Sequence, residues 1–187
     1  MDRGAGDHCL ECLAAIREAV GDQLDVMLDT HGSPQPELSI EFARRVASYR
    51  PLFLEEPVRF GSVAALQEVS RKSPVPIATG EKLFSLRDFM PLIDARACAF
   101  LQPDVTHCFG ITNLVEIARR AADAQMLIAP HNAGGPLCLG ASLAVDAVVD
   151  NFLIQEMNDQ WLREFHLYVD HDWKVQNGYI NVSDRPG

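Results

Sequence analysis

The sequence is short of positive charge. Sixteen Lys and Arg stand against 26 Asp and Glu, a net charge of −10 over 187 residues. This balance excludes a nucleic-acid backbone as partner, because reading phosphates requires a basic face. A small anion would have to be held by a local device, such as a metal ion, rather than by a general positive field. Long apolar runs are also missing. No stretch approaches about 18 consecutive apolar residues, so no membrane span is expected. The opening MDRGAGDHCL has no secretory-leader core. Cysteine is sparse and odd in number: Cys9, Cys12, Cys98, Cys108 and Cys138. Such a scattered set points to a reduced, cytoplasmic protein. Cys9 and Cys12 form a C-x-x-C beside His8, but no second ligand pair follows at zinc-site spacing. Both open an apolar helical pattern and are read as helix-packing residues.

What the sequence has is a real core. Apolar residues make up 48% of the chain, enough for one ordinary domain. Six short apolar runs each end in an acid or a histidine: DVMLD at 25–29, PLFLEE at 51–56, VPIATGE at 75–81, CAFLQPD at 98–104, MLIAPH at 126–131 and NFLIQE at 151–156. Continuous rather than alternating apolarity marks strands buried on both faces. Between them lie amphipathic helical patterns: PELSIEFARRVASYR, SVAALQEVSRK, SLRDFMPLIDARA, GITNLVEIARRAADAQ and GASLAVDAVV, with CLECLAAIREAVGD ahead of the first strand. Strands alternating with helices mean βα units and a parallel sheet.

The polar strand ends recur at a steady interval. From Asp29 to Glu55 is 26 residues, to Glu81 another 26, then 23 to Asp104, 27 to His131 and 25 to Glu156. This regularity favours a barrel over a doubly wound sheet. The expected fold is α/β: a partial TIM-type (β/α) barrel of about six βα units over 1–156. A closed barrel has eight strands and about 250 residues, so two strands on the N-terminal side are expected to be absent. Residues 157–187 are polar and aromatic without a further βα period. They are expected to form a tail that packs on the barrel or on another domain.

In such a barrel the C-terminal strand ends line one mouth, and all six polar residues sit there. In DVMLDTHG, Asp29 and His31 stand two residues apart and would project together from a strand. Asp29, Glu55 and Glu81 offer three carboxylates to a hard cation such as Mg²⁺, which takes oxygen ligands and keeps positions for water or substrate. Glu56 rivals Glu55, since strand alternation turns only one of them to the axis. Asp104 beside His131 would orient the imidazole and raise its basicity, making His131 a general base. His31, across the mouth, could serve as a general acid. Glu156 closes the ring and, if protonated, could hydrogen-bond a developing oxyanion.

These motifs carry a resemblance. LDTHG at 28–32, PLFLEEPV at 51–58, IATGEKLFS at 77–85, FLQPDVTHCFGIT at 100–112, APHNAGGP at 129–136 and NFLIQE at 151–156 resemble the enolase superfamily, specifically the mandelate racemase/muconate lactonizing group. Within it they resemble the galactonate dehydratase-like acid-sugar dehydratases. The likeness runs over nearly the whole chain. It implies that the six strands correspond to strands 3–8 of the family barrel. The first two strands and the N-terminal capping domain would be lacking. It further implies Asp29, Glu55 and Glu81 as Mg²⁺ ligands, which settles Glu55 over Glu56, and His131 as base with Asp104 its dyad partner. Glu156 would bond the substrate carboxylate, and His31 would expel hydroxide. The implied reaction is Mg²⁺-dependent dehydration of a sugar acid, an aldonate such as galactonate, to a 2-keto-3-deoxy acid. Alternatives are a racemase or epimerase of an α-hydroxy acid, and a truncated, inactive fragment. Relatives are commonly homo-oligomers, so the same is expected of a complete protein. The chain departs from the family at GEK (80–82), HCFG (107–110) and NAGGP (132–136). Lys82 is read as a solvated loop lysine and His107 as a structural or loop-positioning residue.

Overall fold

The computed structural model describes residues 3–32, 34–59 and 61–182. Strands and helices alternate along the chain. Helix α1 (Arg3–Val20) precedes β1 (Leu28–Asp29). Then follow α2 (Pro36–Val46), β2 (Leu54–Glu55), α3 (Val63–Lys72), β3 (Ile77–Thr79), α4 (Leu86–Ala95), β4 (Phe100–Leu101), α5 (Ile111–Asp123), β5 (Leu127–Ile128) and α6 (Pro136–Asp146). Helix α5 shows why these segments fold as they do. Leu114, Ile117, Ala118 and Ala121 are buried and recur at three- and four-residue spacing, forming one apolar stripe against the sheet. Helix α3 is started by Ser62, whose hydroxyl accepts from the Ala65 amide at 3.2 Å. Helix α6 starts at Pro136, earlier than the GASLAVDAVV pattern suggests, because proline is favoured in a first turn that needs no amide donor.

The strands form one parallel sheet in the order β1-β2-β3-β4-β5. Leu28 and Asp29 pair with Leu54 and Glu55, and Leu54 and Glu55 pair in turn with Ile77 and Ala78. Every strand neighbours its successor, as in a barrel wall; a doubly wound sheet would reverse direction. The sixth apolar run continues the series by a single bridge, Ile128 to Phe152. The Ile128 amide donates to the Asn151 carbonyl at 2.9 Å, and Leu153 donates back to Ile128 at 2.8 Å. Asn151 is held by its own amide, which donates to the carbonyls of Ala118 and Met126 at 3.0 and 2.9 Å.

The core lies between the sheet and its helices. Leu54, Ile77, Leu101 and Ile128 are all but fully buried and belong to one cluster with Val46, Val69, Phe89 and Ile117. Each such side chain contributes about 1.5–3 kcal/mol through burial. Strand alternation turns Phe53 and Phe100 to the sheet's other face, where their rings pack with centroids 5.5 Å apart.

After 156 the chain forms a short helix α7 (Asp159–Glu164), capped by Asn158, a 3₁₀ turn (Phe165–Leu167) and a hairpin of β6 (Val175–Gln176) and β7 (Tyr179–Ile180). Leu162 and Phe165 pack on Leu139 and Leu143 of α6, joined by Met157, Trp173 and Ile180. Gly140 lets the Trp173 ring lie close: a Cβ there would stand 3.1 Å from it. No helix among the described residues is long and apolar enough to cross a membrane.

Candidate active site

The C-terminal ends of the strands bring the polar residues to one rim. Register sets the level, since Asp29 and Glu55 are direct partners and Glu55 pairs with Ala78, three residues before Glu81. Glu81 follows Gly80, whose φ of +150° and close backbone approach to Gln102 leave no room for a side chain.

Asp29 and His31 do meet, but by a turn rather than by strand alternation. Strand β1 ends at Asp29, and His31 has left-handed φ of 52°. Its amide donates to Asp29 Oδ1 at 2.7 Å and its Nδ1 lies 3.2 Å from Oδ2. The turn is pinned to β2, because Thr30 Oγ1 donates to the Glu56 carbonyl at 2.7 Å and Gly32 N to the same oxygen at 2.9 Å.

Glu55 looks inward among acids. Burial pushes its carboxyl up to about 7; a hydrogen bond with Gln102 opposes this, and Asp29, Glu156 and Glu81 add repulsion. The carboxylates of Asp29, Glu55 and Glu81 are not drawn into one tight cluster. Among the described residues, ligating atoms all within 4.8 Å of one another occur in two sets, Asp29–His31–Glu56 and Asp104–His107–His131. Each acid of the triad has turned to another partner, Asp29 to His31, Glu55 to Gln102 and Glu81 to Lys82.

Lys82 is not a solvated loop lysine. Its ammonium pairs with Glu56, which is 4% exposed, and lies 3.1 Å from Glu81 Oε1. Glu56 takes a left-handed φ of 43°, which ends β2 and turns its side chain away from the strand's alternation. Burial raises the Glu56 carboxyl, and the Lys82 hydrogen bond pulls against that rise.

The strongest pair is Asp104 with His131. Asp104 Oδ2 lies 2.8 Å from His131 Nδ1, and Oδ1 accepts from Thr106 N and Oγ1 at 2.7 and 2.6 Å. Burial pushes the Asp104 carboxyl up, but the hydrogen bonds from His131 and Thr106 win and hold it well below the usual carboxylate range. Burial disfavours the charged form of His131, yet the bond to Asp104 and the charges of Glu156 and Glu81 leave it raised. His131 Nε2 lies 3.6 Å from Glu81 Oε2 and 3.8 Å from Glu156 Oε2. With Nδ1 protonated toward Asp104, Nε2 carries the lone pair, the arrangement of a general base. Glu156 is steadied by the Asn132 amide, which donates to its Oε2 at 3.0 Å. His107 Nδ1 lies 2.8 Å from the Glu81 carbonyl, and its ring stacks on His131 with centroids 6.1 Å apart.

Sequence reasoning missed Gln102, Thr106 and the Glu56–Lys82 pair. Thr106 had a signal: a Thr two residues after an Asp is placed to donate back to it in an Asx turn. Gln102 had one too, as a polar residue at an inward strand position two before Asp104.

The whole chain, residues 1–187, matches the family model described as enolase C-terminal domain-like. A candidate mandelate racemase/muconate lactonizing enzyme from Burkholderia SAR-1 is 35% identical and superposes with a TM-score of 0.94, covering 97% of this chain and 45% of that one. A candidate dehydratase from Mesorhizobium loti is 28% identical, TM-score 0.90, covering 97% and 49%. A racemase from Streptomyces coelicolor A3(2), solved with bound magnesium, is 25% identical, TM-score 0.87, covering 97% and 48%. The chain thus spans about half the length of these structures. Parallel βα units, polar strand ends in register and the buried Asp104–His131 dyad agree with these matches, and the chain belongs to the enolase superfamily as part of a partial (β/α) barrel.

Proposed function

We propose that this chain carries the base and metal-ligand residues of a Mg²⁺-dependent acid-sugar dehydratase, converting an aldonate such as galactonate to a 2-keto-3-deoxy acid. The observation that carries the reading is the Asp104–His131 dyad, at 2.8 Å, beside a rim of carboxylates. The donor set fits a hard divalent cation: Asp29, Glu55 and Glu81 are oxygen donors on three neighbouring strand ends, and their mutual repulsion is what a cation relieves. Bound there, Mg²⁺ supplies Lewis-acid polarisation of a substrate carboxylate and makes its α-proton more acidic.

The chain's own residues account for the proton movements. His131 Nε2 takes the α-proton while Asp104 keeps the Nδ1 proton in place. Glu156, when it carries a proton, donates a hydrogen bond to the substrate oxygen on which charge develops. His31, held against Asp29, gives a proton to the β-hydroxyl, which departs as water as the Cα–Cβ double bond forms. The resulting enol tautomerises to the 2-keto acid.

The test is proton NMR of the chain with galactonate and Mg²⁺ in D₂O. Loss of the α-proton together with a new upfield C3 signal of one proton, the other C3 position having taken deuterium from solvent, supports dehydration. Exchange of the α-proton without loss of water supports the second reading, a racemase or epimerase, which the magnesium-bound racemase among the matched structures favours. No exchange with galactonate or other aldonates would defeat both for this chain.

A further inference from the structure

The rim holds a second set of ligands whose chemistry differs from that of the carboxylate triad. Asp104, His107 and His131 each present one ligating atom, all within 4.8 Å of one another. Ligands bound tetrahedrally at about 2.0–2.1 Å from a zinc ion lie about 3.4 Å apart, so the three side chains must draw together to close the set. The Asp104 Oδ2–His131 Nδ1 edge is already shorter than that, at 2.8 Å. Two imidazoles and one carboxylate suit Zn²⁺, Co²⁺ or Ni²⁺, whereas Mg²⁺ takes oxygen almost alone.

The surroundings favour a dication. Glu81 Oε2 and Glu156 Oε2 lie 3.6 and 3.8 Å from His131 Nε2, across the ring from the Asp104 edge, where they can take the proton that Nε2 carries when Nδ1 binds an ion. The protein also fixes the ligands from behind. His107 is tied through Nδ1 to the Glu81 carbonyl at 2.8 Å, Asp104 is held by Thr106, and the two rings are stacked. Such outer bonds orient ligands before a metal arrives.

We infer that Asp104, His107 and His131 form a binding site for a borderline-soft transition metal, Zn²⁺ or Co²⁺, separate in chemistry from the Mg²⁺ carboxylates and overlapping the dyad. An ion there takes the place of the proton shared by Asp104 and His131, so it silences the dyad while bound. His107 gains a role beyond loop positioning: it is the ligand that turns a hydrogen-bonded pair into a three-point site. The inference does not rest on the proposed reaction. It concerns equilibrium binding by these side chains, and an inactive chain tests it equally well.

The experiment is a titration of chelator-stripped chain with Co²⁺ alone, followed by visible absorption, then back-titration with Zn²⁺ or millimolar Mg²⁺. The expected result is one Co²⁺ per chain with the absorption of nitrogen ligation, displaced by Zn²⁺ and not by Mg²⁺. His107→Asn keeps a side-chain donor for the Glu81 carbonyl but loses the imidazole, and it is expected to weaken Co²⁺ binding more than about tenfold. Glu55→Gln is expected to leave it unchanged. Unaltered binding in His107→Asn, loss in Glu55→Gln, or displacement by Mg²⁺ each overturns the site. A measurement on the unmodified chain covers any folding defect of the variants. Paramagnetic Co²⁺ should shift the ring protons of His107 and His131. Shifts at His8 instead, beside Cys12 Sγ at 3.8 Å, would place the ion on that exposed pair and overturn the inference.

Discussion

His131 Nδ1 lies 2.8 Å from Asp104 Oδ2, and the other oxygen of that carboxylate is held by Thr106. The proton between the two rings of contacts therefore has a fixed address, and the free nitrogen of His131 faces Glu81 and Glu156. Asp104→Asn tests what the carboxylate does. Asparagine can still accept from Thr106, so the loop is preserved, but the charge that favours the imidazolium is gone. The His131 pKa, read from its ring protons by NMR, is expected to fall. Stability follows with a definite sign. The native state raises the His131 value, so the contribution is complete below the unfolded value of about 6.5 and disappears as pH rises through the native one. Urea melts of Asp104→Asn should lack that loss; an unchanged slope would show that the dyad does not set the His131 value.

Lys82 and Glu56 give a second prediction. The Glu56 carboxylate is 4% exposed and its charge is answered by Lys82, whose stem leaves it about one-third exposed. Removing one member of a buried pair strands the other, at a cost of about 3–5 kcal/mol when both are buried. Because water still reaches Lys82, Lys82→Met is expected to lose about 2–3 kcal/mol. Lys82→Arg should lose less. The double variant Glu56→Gln/Lys82→Met should recover part of the loss, and a full double-mutant cycle in urea measures the coupling. Simple additivity would mean that the two residues are independent.

These two pairs also mark how far the sequence is legible. The strand ends Asp29, Glu55, Glu81, Asp104 and His131 could be read because a strand buried on both faces is a continuous apolar run, and an acid or a histidine within a few residues of its end marks where the run closes. The βα order followed from the same contrast. Glu56–Lys82 could not be read, because it joins residues 26 apart through a left-handed turn at Glu56 that no local propensity demands. His31 illustrates the same limit: it reaches Asp29 by a left-handed turn, where alternation along a strand was the expectation. The hairpin in the tail was a missed signal rather than a hidden one. Asn177 and Gly178, with φ of 53° and 82°, are the Asn-Gly pair that a two-residue hairpin turn prefers.

Gly80 supports the rim in a way a substitution can measure. A Cβ there would stand 2.8–2.9 Å from the backbone of Gln102, on a residue whose φ is +150°. Backbone cannot swing aside as a side-chain tip can, so Gly80→Ala must part β3 from the segment after β4 or distort both. A loss of about 2–4 kcal/mol is expected from strain and lost packing together. The displacement falls between Glu81 and Gln102, so hydrogen exchange should rise at the Gln102 amide, which donates to Thr79 at 3.0 Å. Wild-type protection at Gln102 in a folded Gly80→Ala protein would show that the close approach is not needed.

Asp146, at the C-terminal end of α6, carries the clearest pH dependence. Both of its carboxylate oxygens are buried without a hydrogen-bond partner among the described residues, and burial pushes its carboxyl up to about 7. The sign follows from proton counting. Between the unfolded value of about 3.9 and the native value, the folded chain holds a proton that the unfolded chain releases, so stability falls as pH rises through that window. Each unit of difference is worth about 1.4 kcal/mol, and a loss of about 2–4 kcal/mol from pH 4 to pH 8 is expected at this site. Asp146→Asn has no charge to bury. It should be close to wild type at pH 4.5 and more stable than wild type at pH 8, by urea melts at both values. Equal pH slopes in the two proteins would mean that Asp146 finds a partner or water in solution, and that the acid is not isolated after all.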